Sequence, residues 1–111
     1  MIRRGEVWWV DLDPVIGSEV GKRRPAIVVQ NDLANRTSPT VTVVPLTSSV
    51  DAVYPFQVRV EAGEAGLNRP GKAQCEQIRT LSRERLVERV GSLGADRMAE
   101  IRSALDRHRW L

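Results

Sequence analysis

Two consecutive arginines, Arg23 and Arg24, are the side chains whose position most suggests chemistry. They come directly before Pro25 and an unbroken apolar run at 26–29, which is too short for a buried helix and indicates a strand covered on both faces. Proline pushes the preceding residue toward extended backbone, so we expect Arg24 at the mouth of the core. A cation fixed on a rigid strand is suited to phosphate binding. The alternative is that both arginines are solvated loop ends.

The segment before this strand is a basic loop that contains two glycines. Gly17 and Gly21 bracket it, and it ends in three consecutive cations, Lys22, Arg23 and Arg24. Such a loop can lie over a ligand, and its backbone amides can help to hold phosphate oxygens. It does not match the Walker phosphate loop, so nothing here indicates nucleotide hydrolysis.

The scarcity of cysteine and histidine restricts the possible chemistry. Cys75 and His108 are each the only residue of their type, so we expect no disulfide, no metal site and no paired-histidine mechanism within one chain. Seventeen basic against fourteen acidic residues give a net charge of +3, a modest bias toward polyanions such as nucleic acid. No cofactor is expected.

Length and hydrophobic content predict one globular domain over residues 1–111. Charged residues interrupt the N-terminal segment, so it does not have the pattern of a signal peptide, and no segment approaches membrane-spanning length. We therefore expect a cytoplasmic protein that makes no membrane contact.

Period-two patterns predict several short strands, and one helical pattern lies near the C-terminus. The strands are expected at 6–12, 26–29, 41–44, 56–60 and 87–91, and the helix at 94–110 with Met98, Ile101, Leu105 and His108 along one stripe. This set predicts a mainly β fold with some helix: a small, strongly bent antiparallel sheet, or a partly closed SH3-like barrel, followed by a C-terminal helix.

Four segments leave a choice or carry a specific expectation. Residues 31–40 are expected to form a loop with at most one helical turn, and 72–79 an unusually polar strand, either a sheet edge or the wall of a polar cleft. In 56–60, Gln57 is expected to point outward.

Trp8 and Trp9 should face opposite ways, one into the core and the other at a subunit interface or, less favoured, against a nucleic-acid base.

Taken together, these segments resemble the MazF/PemK family of toxin ribonucleases over about residues 3 to 105. The segments that carry the resemblance, in order, are Arg4-Gly5-Glu6-Val7-Trp8, Asp11-Leu12-Asp13-Pro14, Gly17-Ser18-Glu19, Arg24-Pro25, Val29-Gln30-Asn31-Asp32, Pro45-Leu46-Thr47-Ser48 and Glu76-Gln77-Ile78-Arg79. The resemblance implies a PemK/CcdB-like plasmid-toxin fold, a homodimer, metal-independent and sequence-specific cleavage of single-stranded RNA, and inhibition by a MazE-like antitoxin with an acidic C-terminal tail.

The resemblance also implies roles for individual residues. The family's catalytic arginine falls on Arg24 and its catalytic threonine on Thr47, whose hydroxyl would otherwise be read as part of a turn. RNA-binding residues are expected in the basic loop, after the central strand, beside Thr47 and on a base-reading strand: Ser18, Glu19, Lys22, Arg23, Gln30, Asn31, Ser48, Glu76 and Gln77.

The ribose 2'-hydroxyl of RNA can serve as the nucleophile, so the enzyme needs only to stabilise the transition state and manage two protons. The expected products carry a 2',3'-cyclic phosphate and a 5'-hydroxyl. Two alternatives stay open: a CcdB-like gyrase poison without nuclease activity, weakly suggested by Trp110-Leu111, and a non-catalytic RNA-binding barrel.

Overall fold

The computed structural model describes residues 1–13, 16–17 and 21–109, with only the backbone at Arg109. Ser18, Glu19 and Trp110-Leu111, named above as candidates, lie outside the described residues. The strands are β1 (Glu6–Asp11), β2 (Arg23–Val28), β3 (Thr40–Thr47), β4 (Gln57–Val60), β5 (Gly71–Gln74), β6 (Arg79–Ser82) and β7 (Leu86–Ser92). The helices are α1 (Asp32–Thr37) and α2 (Ala95–Arg109), and short 3-10 turns span Glu64–Gly66, Cys75–Gln77 and Arg83–Arg85.

All strand pairs of the sheet are antiparallel, in the order β4-β5-β3-β2-β1-β7, with β6 also paired to β3. Strand β3 bends the sheet because it changes partners along its length: 40–43 pair with β6, whereas 46–47 pair with β5. Pro45 lies between the segment of β3 that pairs with β6 and the segment that pairs with β5. Its missing amide hydrogen therefore interrupts neither of these two pairings. The predicted fold class, a mainly β protein with a bent antiparallel sheet and a C-terminal helix, is confirmed.

Two apolar clusters cover the two faces of the sheet. Val7 and Ile27 point into one, which helix α2 closes with the fully buried Ile101. Ala26 and Val28 point into the other. Since the central run contributes side chains to both clusters, the prediction that its strand is covered on both faces is confirmed.

Strand β2 begins earlier than predicted, at Arg23, so both arginines lie within it and Pro25 is its third residue. Pairing with β1 extends β2 to this end, since Arg24 is opposite Val10 and Arg23 opposite Asp11. The arginines are therefore held by strand backbone rather than by a loop end.

The segment 31–40 contains a six-residue helix, more than the single turn expected. The side chain of Asn31 caps it by accepting a hydrogen bond from the amide of Ala34 at 2.9 Å. Asn35, fully buried, donates to the carbonyl of Gln30 at 2.9 Å. Polar side chains stabilise this helix locally, which a search for apolar periodicity does not detect.

Two predictions for the second half of the chain were wrong. Gln57 is buried rather than outward, because its side chain donates to Glu76 at 2.7 Å. The polar segment 72–79 is not one strand, since a 3-10 turn at Cys75–Gln77 separates β5 from β6. The turn places Glu76 where one of its oxygens accepts the hydrogen bond of the buried Gln57.

The outer side of β7 is covered by the turn Glu64–Gly66. A Cβ atom at Gly91 would overlap the carbonyl oxygen of Ala65, so the two backbones are in direct contact there. No helix among the described residues is long and apolar enough to cross a membrane.

Helix α2 agrees with its predicted bounds within one residue at each described end. Its stripe packs as expected, with Met98 and Leu105 half-buried beside Ile101. The ring of His108 lies 6.3 Å from that of Phe56, which gives this histidine a packing contact.

Candidate active site

Arg24 is held near the start of β2, with its side chain half-buried. Its Nε donates to the carbonyl of Gly21 at 2.9 Å. Within the described residues its two terminal nitrogens make no hydrogen bond. Such a guanidinium is oriented at one end and free at the other to bind two oxygens of a phosphate.

Thr47 ends β3 beside Arg24. The register of β2 with β3 pairs Ala26 with Pro45, and its continuation places Arg24 opposite Thr47. Because residues directly opposite in an antiparallel pair share a face, the hydroxyl and the guanidinium belong to the same surface. The Oγ1 of Thr47 accepts a hydrogen bond from the amide of Ser49 at 3.3 Å, which leaves its hydroxyl hydrogen available for a substrate.

A cleft of roughly 360 Å³ lies over this pair of residues. The described part of the cleft is lined by three arginines, Arg23, Arg24 and Arg69, and its lining contains no acidic residue. Trp9, 38 % exposed, supplies an aromatic face. Clustered guanidinium groups with an exposed indole fit a ligand that combines phosphates with flat rings.

Close backbone packing brings the 67–71 segment to the edge of the cleft. A Cβ at Gly71 would lie 2.9 Å from the carbonyl oxygen of Thr47, closer than a side chain tolerates. Glycine therefore lets this segment pass directly against Thr47, which carries Asn68, Arg69 and Pro70 into the lining.

The structure brings together four of the predicted site residues and separates the other predicted residues that it describes. Arg23, Arg24, Thr47 and Ser48 line the cleft. Lys22 is exposed just before β2, with φ of 65°, and its amide donates to Asp13 at 2.8 Å. Lys22 does not line the described part of the cleft.

Gln30 and Asn31 lie beyond the opposite end of β2 from Arg24. The side-chain amide nitrogen of Gln30 donates to the side-chain oxygen of Asn35 at 3.0 Å and to the backbone carbonyl of Thr40 at 3.1 Å. Asn31 caps α1. Both side chains therefore have local structural partners.

Glu76 and Gln77 lie in the 3-10 turn between β5 and β6, not on a strand as expected. One oxygen of Glu76 accepts from Gln57, whereas its other oxygen is buried without a hydrogen bond among the described residues. The side-chain oxygen of Gln74 is also buried without a hydrogen bond among the described residues. Neither residue lines the described part of the cleft.

Two cations near the cleft were missed from the sequence. Arg69 follows a glycine-rich segment that was read as a turn, and Lys72 lies on β5 directly opposite Thr47. The only signal for either was a basic residue close to glycine or proline, and this signal is too common to single out a site.

The free cysteine has no reactive character. Burial, with a contribution from neighbouring Glu76, raises the pKa of the Cys75 thiol to about 12. The thiolate is therefore scarce at neutral pH, and Cys75 is unsuited to act as a nucleophile. In the described part of the chain, no group of three His, Cys, Asp or Glu side chains is arranged to hold a metal ion.

Comparison with known proteins gives a consistent match over nearly the whole chain. Residues 3–108 match the family model described as PemK-like, MazF-like toxin of type II toxin-antitoxin system. The chain is 49 % identical to Endoribonuclease MazF9 of Mycobacterium tuberculosis, with 97 % of this chain and 96 % of the relative covered.

Solved structures agree with this match. MazF of Deinococcus radiodurans superposes with a TM-score of 0.86 at 30 % identity, covering 99 % of this chain and 97 % of the other. A MazE-MazF structure from the same organism superposes with a TM-score of 0.78 at 29 % identity, covering 99 % and 96 %.

Proposed function

The chain belongs to the PemK-like, MazF-like toxins of type II toxin-antitoxin systems and is an endoribonuclease, and from this we propose that it cleaves single-stranded RNA at the Arg24 and Thr47 cleft. The observation that carries the proposal is that Arg24 and Thr47 line the same arginine-rich cleft. This arrangement supplies positive charge, a hydroxyl donor and an aromatic face.

The cleavage step uses the 2'-hydroxyl of the substrate as its nucleophile. The hydroxyl oxygen attacks the adjacent phosphorus, its proton leaves, and the bond to the 5'-oxygen breaks as that oxygen takes up a proton. The products carry a 2',3'-cyclic phosphate and a 5'-hydroxyl. The terminal nitrogens of Arg24 bind the phosphate oxygens as negative charge grows on them. The hydroxyl of Thr47 donates to the same phosphate.

Arg24 acts in this step through its charge and not as a base. A guanidinium has a pKa above about 12 and stays protonated. Arg23 and Arg69 are placed to bind neighbouring phosphates, and Trp9 to stack on a base. Ser48 offers a polar contact to bases.

The partners follow from the family. A type II toxin is bound by its antitoxin, and the MazE-MazF structure of D. radiodurans supports an antitoxin of that kind. An acidic tail complements the described lining of the cleft, which contains arginines and no carboxylate. The chain acts as one domain, as a homodimer, in the cytoplasm.

The decisive test is RNA cleavage by the purified protein in excess EDTA. We expect cleavage of a long single-stranded transcript to persist, and its mapped sites then define a short substrate. The same oligonucleotide with 2'-deoxyribose 5' to the scissile phosphate should resist cleavage, since it lacks the nucleophile. Cleavage of this deoxy substrate would contradict the mechanism. Inhibition of gyrase supercoiling without RNA cleavage would favour the CcdB-like alternative.

A further inference from the structure

The segment 48–56 links Thr47 to β4, and it has no regular secondary structure. It includes the amide of Ser49, which donates to Thr47. The position of this segment therefore affects the orientation of the Thr47 hydroxyl. A loop next to a reacting group has to be fixed by contacts from elsewhere in the fold.

Lys72 supplies such contacts from β5. Its Nζ donates to the carbonyl of Ala52 at 2.5 Å and lies 6.0 Å from the ring centroid of Tyr54. Lys72 is also directly opposite Thr47 in the β3 and β5 register. One side chain thus connects the strand beside Thr47 to two positions in the segment that follows it.

The environment of Lys72 is unusual for a lysine. It is only 8 % exposed, although lysine normally keeps its ammonium group in water. No salt bridge involves it among the described residues. A buried ammonium needs hydrogen-bond acceptors or an aromatic face, and here the carbonyl of Ala52 and the ring of Tyr54 provide them.

Other contacts fix the far end of the same segment. The ring of Tyr54 stacks on that of Phe56 at 5.6 Å, and the amide of Tyr54 donates to Gln57 at 3.2 Å. Between Ser49 and Tyr54, Lys72 provides the side-chain contact to the middle of the segment. Its loss would remove the side-chain hydrogen bond that holds this part of the segment to β5.

We infer that Lys72 is a positioning residue for cleavage, which holds the 48–56 segment so that Ser49 can orient the hydroxyl of Thr47. This inference rests on the proposed function, since it assigns Lys72 a role in the geometry of the same site. The residue acts through Thr47 and does not itself need to touch RNA. Its loss should lower kcat more than it raises KM.

The test compares Lys72→Met, which keeps the apolar stem and removes the charge, with Lys72→Arg, which keeps a donor for Ala52. Tyr54 is the only tyrosine, so labelling with 3-fluorotyrosine gives one fluorine NMR signal from the segment itself. In Lys72→Met we expect this signal to move toward its position in denatured protein and kcat to fall about tenfold, with KM within about twofold. Lys72→Arg should partly restore both.

Arg102→Met is the matched control, because it removes an exposed charge on α2. It should change neither the fluorine signal nor kcat. Unchanged kcat in Lys72→Met would overturn the inference. A fall in kcat with an unmoved fluorine signal would also overturn it, since the ammonium would then act on RNA directly.

A second variant covers the case in which Lys72→Met fails to fold. Tyr54, 54 % exposed, can be changed to Leu with little effect on the core, and this removes the ring beside the ammonium. We expect kcat to fall severalfold without loss of thermal stability, and unchanged kcat would count against the inference. If the wild-type protein does not cleave RNA, the proposed function fails. The fluorine comparison, which uses no RNA, then still decides whether Lys72 holds the segment.

Discussion

The guanidinium of Arg24 is fixed at one end by Gly21 and open at the other, and this geometry distinguishes it from the other arginines of the cleft. Arg23 and Arg69 are exposed, so solvent screens their charge. A half-buried guanidinium loses less of its electrostatic effect to water. Arg24 is therefore the cation best suited to stabilise charge that develops on a phosphate.

Replacing Arg24 with Ala should reduce cleavage by at least about 100-fold, the usual effect of removing a principal transition-state donor. Arg24→Lys should recover little, because a single ammonium cannot hold two phosphate oxygens in a planar fork. Single-turnover cleavage, with enzyme in excess of RNA and at saturating concentration, measures the effect on chemistry. Arg36→Ala, at an exposed position on α1, is the control for loss of one positive charge. Near wild-type cleavage by Arg24→Ala would place the site elsewhere.

Glu6 makes the stability of the protein dependent on acid pH. Burial acts to raise the pKa of its carboxyl, but the amide of Arg3, the indole of Trp8 and the guanidinium of Arg89 together hold the pKa below its ordinary value of 4.5. A pKa lowered by folding contributes stability that is complete above 4.5 and is lost as the pH falls through the folded-state value.

Glu6→Gln should therefore destabilise the protein at pH 7 by about 1–3 kcal/mol, the cost of leaving buried partners unsatisfied. The difference in Tm between wild type and variant should shrink as the pH is lowered to about 3, because the wild-type carboxyl is then increasingly protonated. Thermal melts across this pH range measure it. Glu88→Gln, at an exposed position on β7, is the control. A difference that stays constant with pH would show that the charge of Glu6 is unimportant.

Secondary-structure elements were predictable where apolar side chains define them. The alternation in β1 and the stripe in α2 follow from burial of one face, and both elements appeared close to their expected bounds. Helix α1 and the turn at Cys75–Gln77 were not predicted, since they depend on hydrogen bonds of polar side chains. Those at α1 are local, and the one between Gln57 and Glu76 joins residues distant in sequence. A sequence pattern does not reveal such pairs.

The same contrast applies to the site. Arg24 and Thr47 were found because their motifs resemble those of a family, and both line the same cleft in the structure. Arg69 and Lys72 reach the site through the path of the 67–74 backbone, which depends on close packing at Gly71. The positions of these two side chains follow from the folded chain as a whole, so no local sequence pattern predicts them.

Helix α1 gives a test at the scale of one element. Asn31→Ala removes its cap and should lower stability by about 0.5–2 kcal/mol. We expect RNA cleavage well below the Tm to be unchanged, since the side-chain oxygen of Asn31 is already used by Ala34. Denaturant unfolding and cleavage rates measure the two effects. Asn31→Ser, which keeps a capping oxygen, should recover most of the stability. A large loss of RNA affinity in both variants would instead support a direct RNA contact by Asn31.

For the whole molecule, the small core leaves large apolar side chains at the surface. Trp9 is half-exposed on β1 beside the cleft, and Val87 is exposed on the neighbouring β7. A symmetric interface over the N-terminal strand or α2 would cover such surface and bring two clefts together in one particle.

We expect light scattering at micromolar concentration to report twice the mass of one chain, with dissociation on dilution. Trp9→Ser should shift this equilibrium toward the monomer if the interface uses β1. Leu33→Ser, 65 % exposed on α1, is the control for loss of an apolar surface residue. A wild-type monomer with full nuclease activity would mean that Trp9 is exposed for RNA rather than for a second subunit.

The contact between Gly91 and Ala65 also bears on how the protein behaves when it is concentrated or newly made. A bare strand edge offers unpaired amides and carbonyls to any other chain, and it is a common starting point for amyloid-like association. Here the turn Glu64–Gly66 packs directly on β7, the outermost strand, and a side chain at position 91 would push it away. Replacing Gly91 with a larger residue would therefore leave more of this strand open to other chains.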